Sequence, residues 1–295
     1  MFKSGFISII GRPNAGKSTL LNALLNEKLA ITSPKPQTTR DNIMGILNLP
    51  DAQLVFIDTP GIHKPHHRLG KHLNRNAYQA ITESDINLVI VDATQAFGSG
   101  DEFLLSRIAN SEVPAFLIVN KIDLLSKEQL LQVLNEWQKR YSFAEIIPIS
   151  ALEKDNIQEL LELCKSYLQE GVQYFPEDMK SDHDAYFQIS EIIREKVLYK
   201  TEEEIPHSVA VVLEHVEENE KQLFVQAMIV VERSSQKGIL IGKQASMIRA
   251  IRMAAQKELK QRFQKNVTLE LFVRVESNWR NRSSKLTQLG YGDNE

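Results

Sequence analysis

Apolar residues in the first half of the chain fall into short unbroken runs, and stretches of a second, helical period lie between them. Phe6 to Ile10, Leu54 to Ile57, Ile86 to Val91, Val113 to Val119 and Ile146 to Ile149 are nearly all Val, Ile, Leu and Phe. Runs without polar alternation suit strands buried on both faces of a parallel sheet. Lys17 to Lys28 carries Leu20, Leu21, Leu24 and Leu25, and Lys127 to Arg140 carries Leu130, Leu131, Leu134 and Trp137. Asn156 to Leu168 carries Ile157, Leu160, Leu161, Leu163 and Leu168. Each set makes one stripe of an amphipathic helix. Alternating β and α predicts a doubly wound, mostly parallel sheet. One exception is expected: Ile43 to Leu49 lies too close to Gln53 to Ile57 for a helical crossover, so the two should form a hairpin across Pro50-Asp51.

The pattern changes after Asp184. Tyr174 to Asp184 is polar, holds Pro176 and has no period, which predicts one domain over 1–175, a linker over 176–184 and a second domain over 185–295 with a C-terminal tail. In that second part, Ala185 to Leu198 carries Ile189, Ile192, Ile193 and Val197 on one helical stripe. Val209 to Leu213 and Leu223 to Val231 read as strands, followed by Gly238 to Ala245, a long helix to about Phe263 and a strand from Val267 to Val275. A smaller α+β unit of order β-β-α-turn-α-β is how KH modules are arranged, and their GXXG loop clamps nucleic-acid backbone.

Size and composition fit this division. A chain of 295 residues is long enough for two cores. The single cysteine, Cys164, sits on an apolar helical face, so neither a disulfide framework nor haem attachment is expected, and a reducing cytoplasm is. No apolar run reaches the length of a membrane span, and the amino terminus enters a strand directly, without a signal peptide. The net charge of −3 hides a polarity. Arg233 to Lys285 holds thirteen Lys or Arg against three acids, whereas Thr201 to Glu220 holds seven glutamates and no Lys or Arg. The basic stretch suits phosphates, and the acidic one repels them.

The candidate chemistry lies at the ends of the predicted strands. Gly11-Arg12-Pro13-Asn14-Ala15-Gly16-Lys17-Ser18 fits GxxxxGK[ST], in which backbone N–H groups cradle a polyphosphate, the lysine reaches its outer phosphates and the serine hydroxyl takes Mg²⁺. Thr19 follows at the start of the helix. Asn120-Lys121-Ile122-Asp123 supplies the base, because the Asp123 carboxylate can accept from the ring N–H and exocyclic amine of guanine, a donor pair adenine lacks on that edge. Sites of this kind reject the wrong ligand by roughly 10⁴ to 10⁵. Ser150-Ala151 ends the last strand on the same rim, where ligands of open α/β sheets bind. In Asp58-Thr59-Pro60-Gly61, Asp58 is placed to hold Mg²⁺ through water and the Gly61 N–H to touch the γ-phosphate. Between the first helix and the edge strand, Thr39 is favoured over Thr38 as the hydroxyl that caps Mg²⁺ when the γ-phosphate is present. Lys17, Thr39 and Gly61 are therefore the expected catalytic set. His63, His66, His67 and His72 crowd the following loop, and a solvated loop is expected there rather than a metal site.

In the second part, Gly242, Lys243, Gln244 and Ala245 form the expected nucleic-acid loop, with Arg249 and Arg252 on the helix after it. Trp279 and Arg280 are further candidate RNA contacts, Trp279 being placed either to stack an unpaired base or to plug the carboxyl terminus.

Taken in order, GRPNAGKST, PQTTRD, DTPG, NKID, SAL, EIIREK, EEIPHS, SQKGILIGK and the closing NWR and LGY resemble the bacterial Era GTPases over nearly the whole chain. The resemblance implies a Ras-like GTPase domain followed by a KH domain, GTP/GDP and Mg²⁺ as ligands, and hydrolysis of GTP to GDP. It also implies binding of small-subunit (16S) ribosomal RNA near its 3′ end, a role in assembling the 30S particle, and peripheral contact with the inner membrane. The rival reading is a membrane-associated signalling GTPase whose basic domain binds lipid or protein. Ile62 stands where Ras-like GTPases carry the glutamine that orients the attacking water, so slow intrinsic turnover is expected. The Asn14 amide oxygen is a candidate for holding a monovalent cation such as K⁺ beside the phosphates. One departure concerns the loop: the family pattern is Gly-Lys-Gly-Gly, and Gln244 and Ala245 replace its last two glycines. Their loss is expected to forbid some positive-φ conformations and to put side chains where RNA backbone approaches.

Overall fold

The computed structural model describes residues 1–65 and 67–291. The first unit is built on a six-stranded sheet of order β2-β3-β1-β4-β5-β6. Its strands are β1 (Lys3–Gly11), β2 (Ile43–Leu49), β3 (Ala52–Asp58), β4 (Ile86–Asp92), β5 (Ala115–Asn120) and β6 (Glu145–Ile149). Only β2 runs antiparallel, pairing β3 from Ile43↔Asp58 to Leu49↔Ala52 across the Pro50-Asp51 turn. The other pairs are parallel. Helices α1 (Lys17–Leu25), α2 (Arg68–Glu83), α3 (Ser99–Ile108), α4 (Lys127–Gln138) and α5 (Ile157–Tyr167) cover it. Ile7, Ile9, Ile10, Leu54, Val55, Phe56, Leu88, Val89 and Ile90 are wholly buried, as residues of a sheet covered on both faces must be. Leu131, expected on the apolar stripe of α4, is instead exposed, because Trp137 and the partly buried Leu130 and Leu134 face the core.

The polar stretch after α5 does not hang free. Gln53 is buried, and its side chain accepts from the N–H groups of Tyr174 (2.8 Å) and Phe175 (3.0 Å) while donating to the Phe175 carbonyl (2.8 Å). Further on, Ile46 N–H donates to the Lys180 carbonyl (2.9 Å), and Met44 N–H to Asp182 Oδ1 (3.2 Å). The stretch thus covers the open edge of β2, which would otherwise leave backbone groups unpaired. The first compact unit accordingly runs to Asp182, apart from Ser33–Thr38 and His67–Leu69, which group with the second unit that takes up the chain from His183, so residues 176–182 of the expected linker belong with the first unit.

The second unit contains α6 (Ala185–Lys200), α7 (Ile205–Ser208), β7 (Ala210–Glu218), β8 (Gln222–Val231), α8 (Ser234–Ile241), α9 (Ser246–Phe263), β9 (Asn266–Val275) and α10 (Ser283–Gln288). Asp184 caps α6 by accepting from Phe187 N–H at 2.8 Å. The sheet order is β7-β8-β9, with β7 antiparallel and β9 parallel to the central β8. α6 packs on α9 and β7, and α9 on β9, with Ile189, Ile193, Val197, Ile251, Ala255 and Leu259 of the helices and Val225, Ala227 and Ile229 of β8 all buried. Among the described residues, no helix is long and apolar enough to cross a membrane.

Candidate functional site

The loop between β1 and α1 is shaped by backbone conformation. Gly16 sits at φ 103°, and a Cβ there would lie 2.2 Å from the Asn120 amide nitrogen, so only glycine fits. Asn14 is also left-handed, at φ 64°. No side chain caps the start of α1, which leaves its first N–H groups for an anion. Lys17 is buried, and its ammonium donates to the carbonyls of Arg12 (2.9 Å) and Gly11 (3.3 Å). Burial lowers its pKa to about 8, against the opposing attraction of Asp58. Arg12 itself pairs with Asp101 at 3.0 Å.

Three oxygen groups converge beside this lysine. Ser18 Oγ donates to Asp58 Oδ2 (2.6 Å) and lies 2.8 Å from Thr39 Oγ1, which is 3.3 Å from the same carboxylate oxygen. Asp58 is fully buried, and its Oδ1 has no hydrogen-bond partner among the described residues. Burial raises the carboxyl to about 6, with Lys17, Ser18 and Thr39 pulling the other way. An orphaned buried carboxylate oxygen next to two hydroxyls is the hard-oxygen donor set that Mg²⁺ takes. Thr38, by contrast, spends its hydroxyl on the Lys35 carbonyl (2.7 Å) and Ser33 (2.9 Å).

The base-side residues are stitched to the same loop. Asn120 donates to the Ala15 carbonyl (2.9 Å) and accepts from Ala151 N–H (3.0 Å). Lys121 donates to the Asn14 carbonyl (3.1 Å) and to Asp92 (2.5 Å). Ser150 Oγ donates to Asp123 Oδ1 at 2.6 Å, which holds an otherwise exposed carboxylate in place. Gly61 abuts the loop from the other side, since a Cβ there would sit 2.7 Å from Pro13 N. Ile62 is buried in a core cluster with Ala77 and Ile81, its N–H donating to the Gly11 carbonyl (3.1 Å).

Of the histidines after Ile62, His63 lies in the loop and His72 in α2. His63 is held by Asn74, whose amide donates to its carbonyl at 2.7 Å, and its ring Nδ1 lies 2.8 Å from the Gly61 carbonyl. His66 lies outside the described residues, and no metal-binding group of three or more His, Cys, Asp or Glu occurs among those described. Asp92 and Asn74 had no signature in sequence, because each acts through a neighbour distant in the chain.

In the second unit, the loop after α8 keeps the conformation that its side chains were expected to forbid. Gly242 is at φ 70°, Gln244 at φ 52° and Ala245 at φ 59°. Left-handed backbone is thus retained without the glycines, at a cost of about 1–2 kcal/mol per residue. Lys243, Gln244, Arg249 and Arg252 are exposed, and a cavity of about 520 Å³ between α9 and β9 brings Ala245, Arg249 and Arg252 opposite Leu271 and Phe272. Two expected contacts must be corrected. Trp279 is fully buried, donates from Nε1 to the Ser208 carbonyl (3.0 Å) and stacks on Tyr291, so it plugs the fold and cannot take a base. Arg280 is spent on Glu232 (2.6 Å) and the His207 carbonyl (3.3 Å). The signal was present in sequence: Leu286, Leu289 and Tyr291 follow Trp279 as an apolar set able to bury an indole.

A phosphate loop, a guanine-reading rim and a two-helix turn over a three-stranded sheet define a P-loop GTPase that carries a KH domain. Residues 6–121 match the family described as 50S ribosome-binding GTPase, and residues 204–280 match the KH domain. The crystal structure of Era in complex with MgGDPNP and nucleotides 1506–1542 of 16S ribosomal RNA is similar over 99% of this chain and 100% of that one, with 37% identity and a TM-score of 0.96. That of an Aquifex aeolicus Era variant bound to GDP·AlF4⁻ covers the same shares at 37% identity and a TM-score of 0.94. The chain belongs to the Era family of GTPases.

Proposed function

We propose that this chain is a GTP-driven switch in the cytoplasm that binds the small-subunit ribosomal RNA and assists assembly of the 30S particle. The observation that carries the nucleotide half is the convergence of Lys17, Ser18, Thr39 and Asp58 on one end of the loop and of Asn120, Lys121 and Asp123 on the other. In this reading, Gly11 to Thr19 wrap the phosphates and Asp123 accepts from guanine, with Ser150 and Ala151 closing the base side. Ser18, Thr39 and, through water, Asp58 are the residues that would hold Mg²⁺, which neutralises charge on the phosphates when bound. Lys17 and the Gly61 N–H face the γ-phosphate, and Asn14 remains the proposed ligand for K⁺. Ile62 is enclosed in the core, so it neither donates to nor accepts from a water, which supports slow intrinsic turnover.

The RNA half rests on the exposed Lys243, Arg249 and Arg252 around the left-handed turn, and on the resemblance of the whole chain to an Era bound to a 16S fragment. Isothermal calorimetry with GTP, GDP and ATP tests the first half: binding of ATP as tight as that of GTP would refute it. RNA affinity measured with GDP and with a non-hydrolysable GTP analogue tests the coupling, and equal affinities would count against a switch. Crosslinking and sequencing of RNA bound in cells, beside flotation on anionic vesicles, separates this reading from the lipid-binding one.

A further inference from the structure

Lys121 occupies a constrained place. It is left-handed at φ 68°, sits between the Asn120 that ties the rim to Ala15 and the Asp123 that faces the base, and sends its ammonium to the Asn14 carbonyl at 3.1 Å. Its stem therefore crosses from the base side of the site to the phosphate loop, along the space a nucleoside must fill. A four-carbon chain with free rotors would lose much entropy on being held straight. What holds it is Asp92, at the end of β4, whose Oδ2 accepts from Lys121 Nζ at 2.5 Å. That carboxylate is itself fixed from the other oxygen: Asp92 Oδ1 accepts from Thr94 N–H (2.9 Å) and from the Thr94 hydroxyl (2.7 Å). Burial pushes the Asp92 carboxyl up, but the hydrogen bonds from Lys121 and Thr94 hold it below the usual range. It is charged whenever nucleotide is present at neutral pH.

We propose that Asp92 is a positioning residue for the guanine nucleotide: it touches no ligand, and it stretches Lys121 over the base-to-phosphate gap before the nucleotide arrives. The proposal rests on the nucleotide reading of this rim. Preorganisation of this kind acts on affinity, because the ordering is done before binding.

The test is a double-mutant cycle in the full chain, read by fluorescent GDP binding, GTPase kinetics and thermal melting. Asp92→Asn keeps the shape and removes the charge, and it should weaken GDP binding about tenfold, the size of one charge-assisted hydrogen bond. KM for GTP should rise with it, while kcat at saturation stays within about twofold, because the reacting phosphate is served by other groups. Lys121→Met should weaken binding further, and the double variant should bind as Lys121→Met alone does. Wild-type affinity in Asp92→Asn, or penalties that add in the double variant, would overturn the proposal. Should Asp92→Asn fail to fold, Thr94→Val takes its place from an exposed position: about two- to threefold weaker GDP binding supports the positioning role, and no change refutes it. A wild-type chain that takes up no guanine nucleotide would instead refute the reading of the rim, a distinguishable failure.

Discussion

Gly16 shows how tightly single residues are specified here. Alanine at this position would have to adopt φ 103° and push the Asn120 amide from 2.2 Å, so both backbone strain and a broken rim tie act against it. Gly16→Ala should cost at least about 2 kcal/mol of stability and abolish measurable GDP binding, as read by chemical denaturation and calorimetry. Cys164 is the opposite case, a residue with chemistry it never uses. Burial pushes its thiol up to about 12, so the thiolate is absent at pH 8 and the sulfur is enclosed. A disulfide reagent should label it only after denaturant is added, and labelling of the native chain within minutes would contradict the buried placement. At this scale the sequence was most legible where a motif demands one residue type, as at Gly16, whose positive φ and close approach to Asn120 only glycine meets. It was least legible for Asp92, whose hydrogen bond to Lys121 joins residues 29 positions apart.

Among elements, the central strands β1, β3, β4 and β5 are plain in the sequence because their residues are buried on both faces, whereas α2 and α3 are not plain. α2 buries Leu69, Leu73, Ala77, Ala80 and Ile81 at helical spacing, together with Asn74, but it begins inside the histidine-rich stretch expected to be a loop. α3 has a short stripe of Leu104, Leu105 and Ile108 and starts at a glycine cap completed by Asp101. The turn after α8 shows local propensity overridden by its surroundings, since the helices on both sides impose left-handed backbone on Gln244 and Ala245. Ala245→Gly should relieve that strain and raise the stability of the second unit by about 0.5–1 kcal/mol net of glycine's own entropy, a shift measurable by thermal melting. Trp279→Ala removes the plug from the same unit. It should destabilise that unit by about 3–5 kcal/mol. An RNA-affinity loss with unchanged melting would restore Trp279 as a base contact.

For the whole molecule, charge separation matters more than net charge. The +10 balance of Arg233 to Lys285 puts exposed Arg249 and Arg252 at the cavity beside the left-handed turn, while Glu204 and Glu218 of the acidic stretch pair with Arg233 (3.4 Å) and Lys265 (2.6 Å). Binding of single-stranded ribosomal RNA should therefore weaken with salt. Arg249→Gln and Arg252→Gln should each reduce the slope of log affinity against log salt by about 0.7, the share of one phosphate contact on a single strand, in anisotropy titrations. An unchanged slope in both would move the RNA surface elsewhere.

The linear chain by itself determined the class of fold, the nucleotide and the family. Buried strands, phosphate loops and base-reading words each need particular residue types within a few positions of one another, so they leave a readable local pattern. Only the tertiary structure decided which hydroxyl meets Asp58, that Ile62 lies in the core, that Trp279 and Arg280 are spent inside the fold, and that Gln244 and Ala245 keep the turn. Those outcomes depend on burial and on which distant groups come within hydrogen-bond reach, and neither quantity exists until the chain has packed.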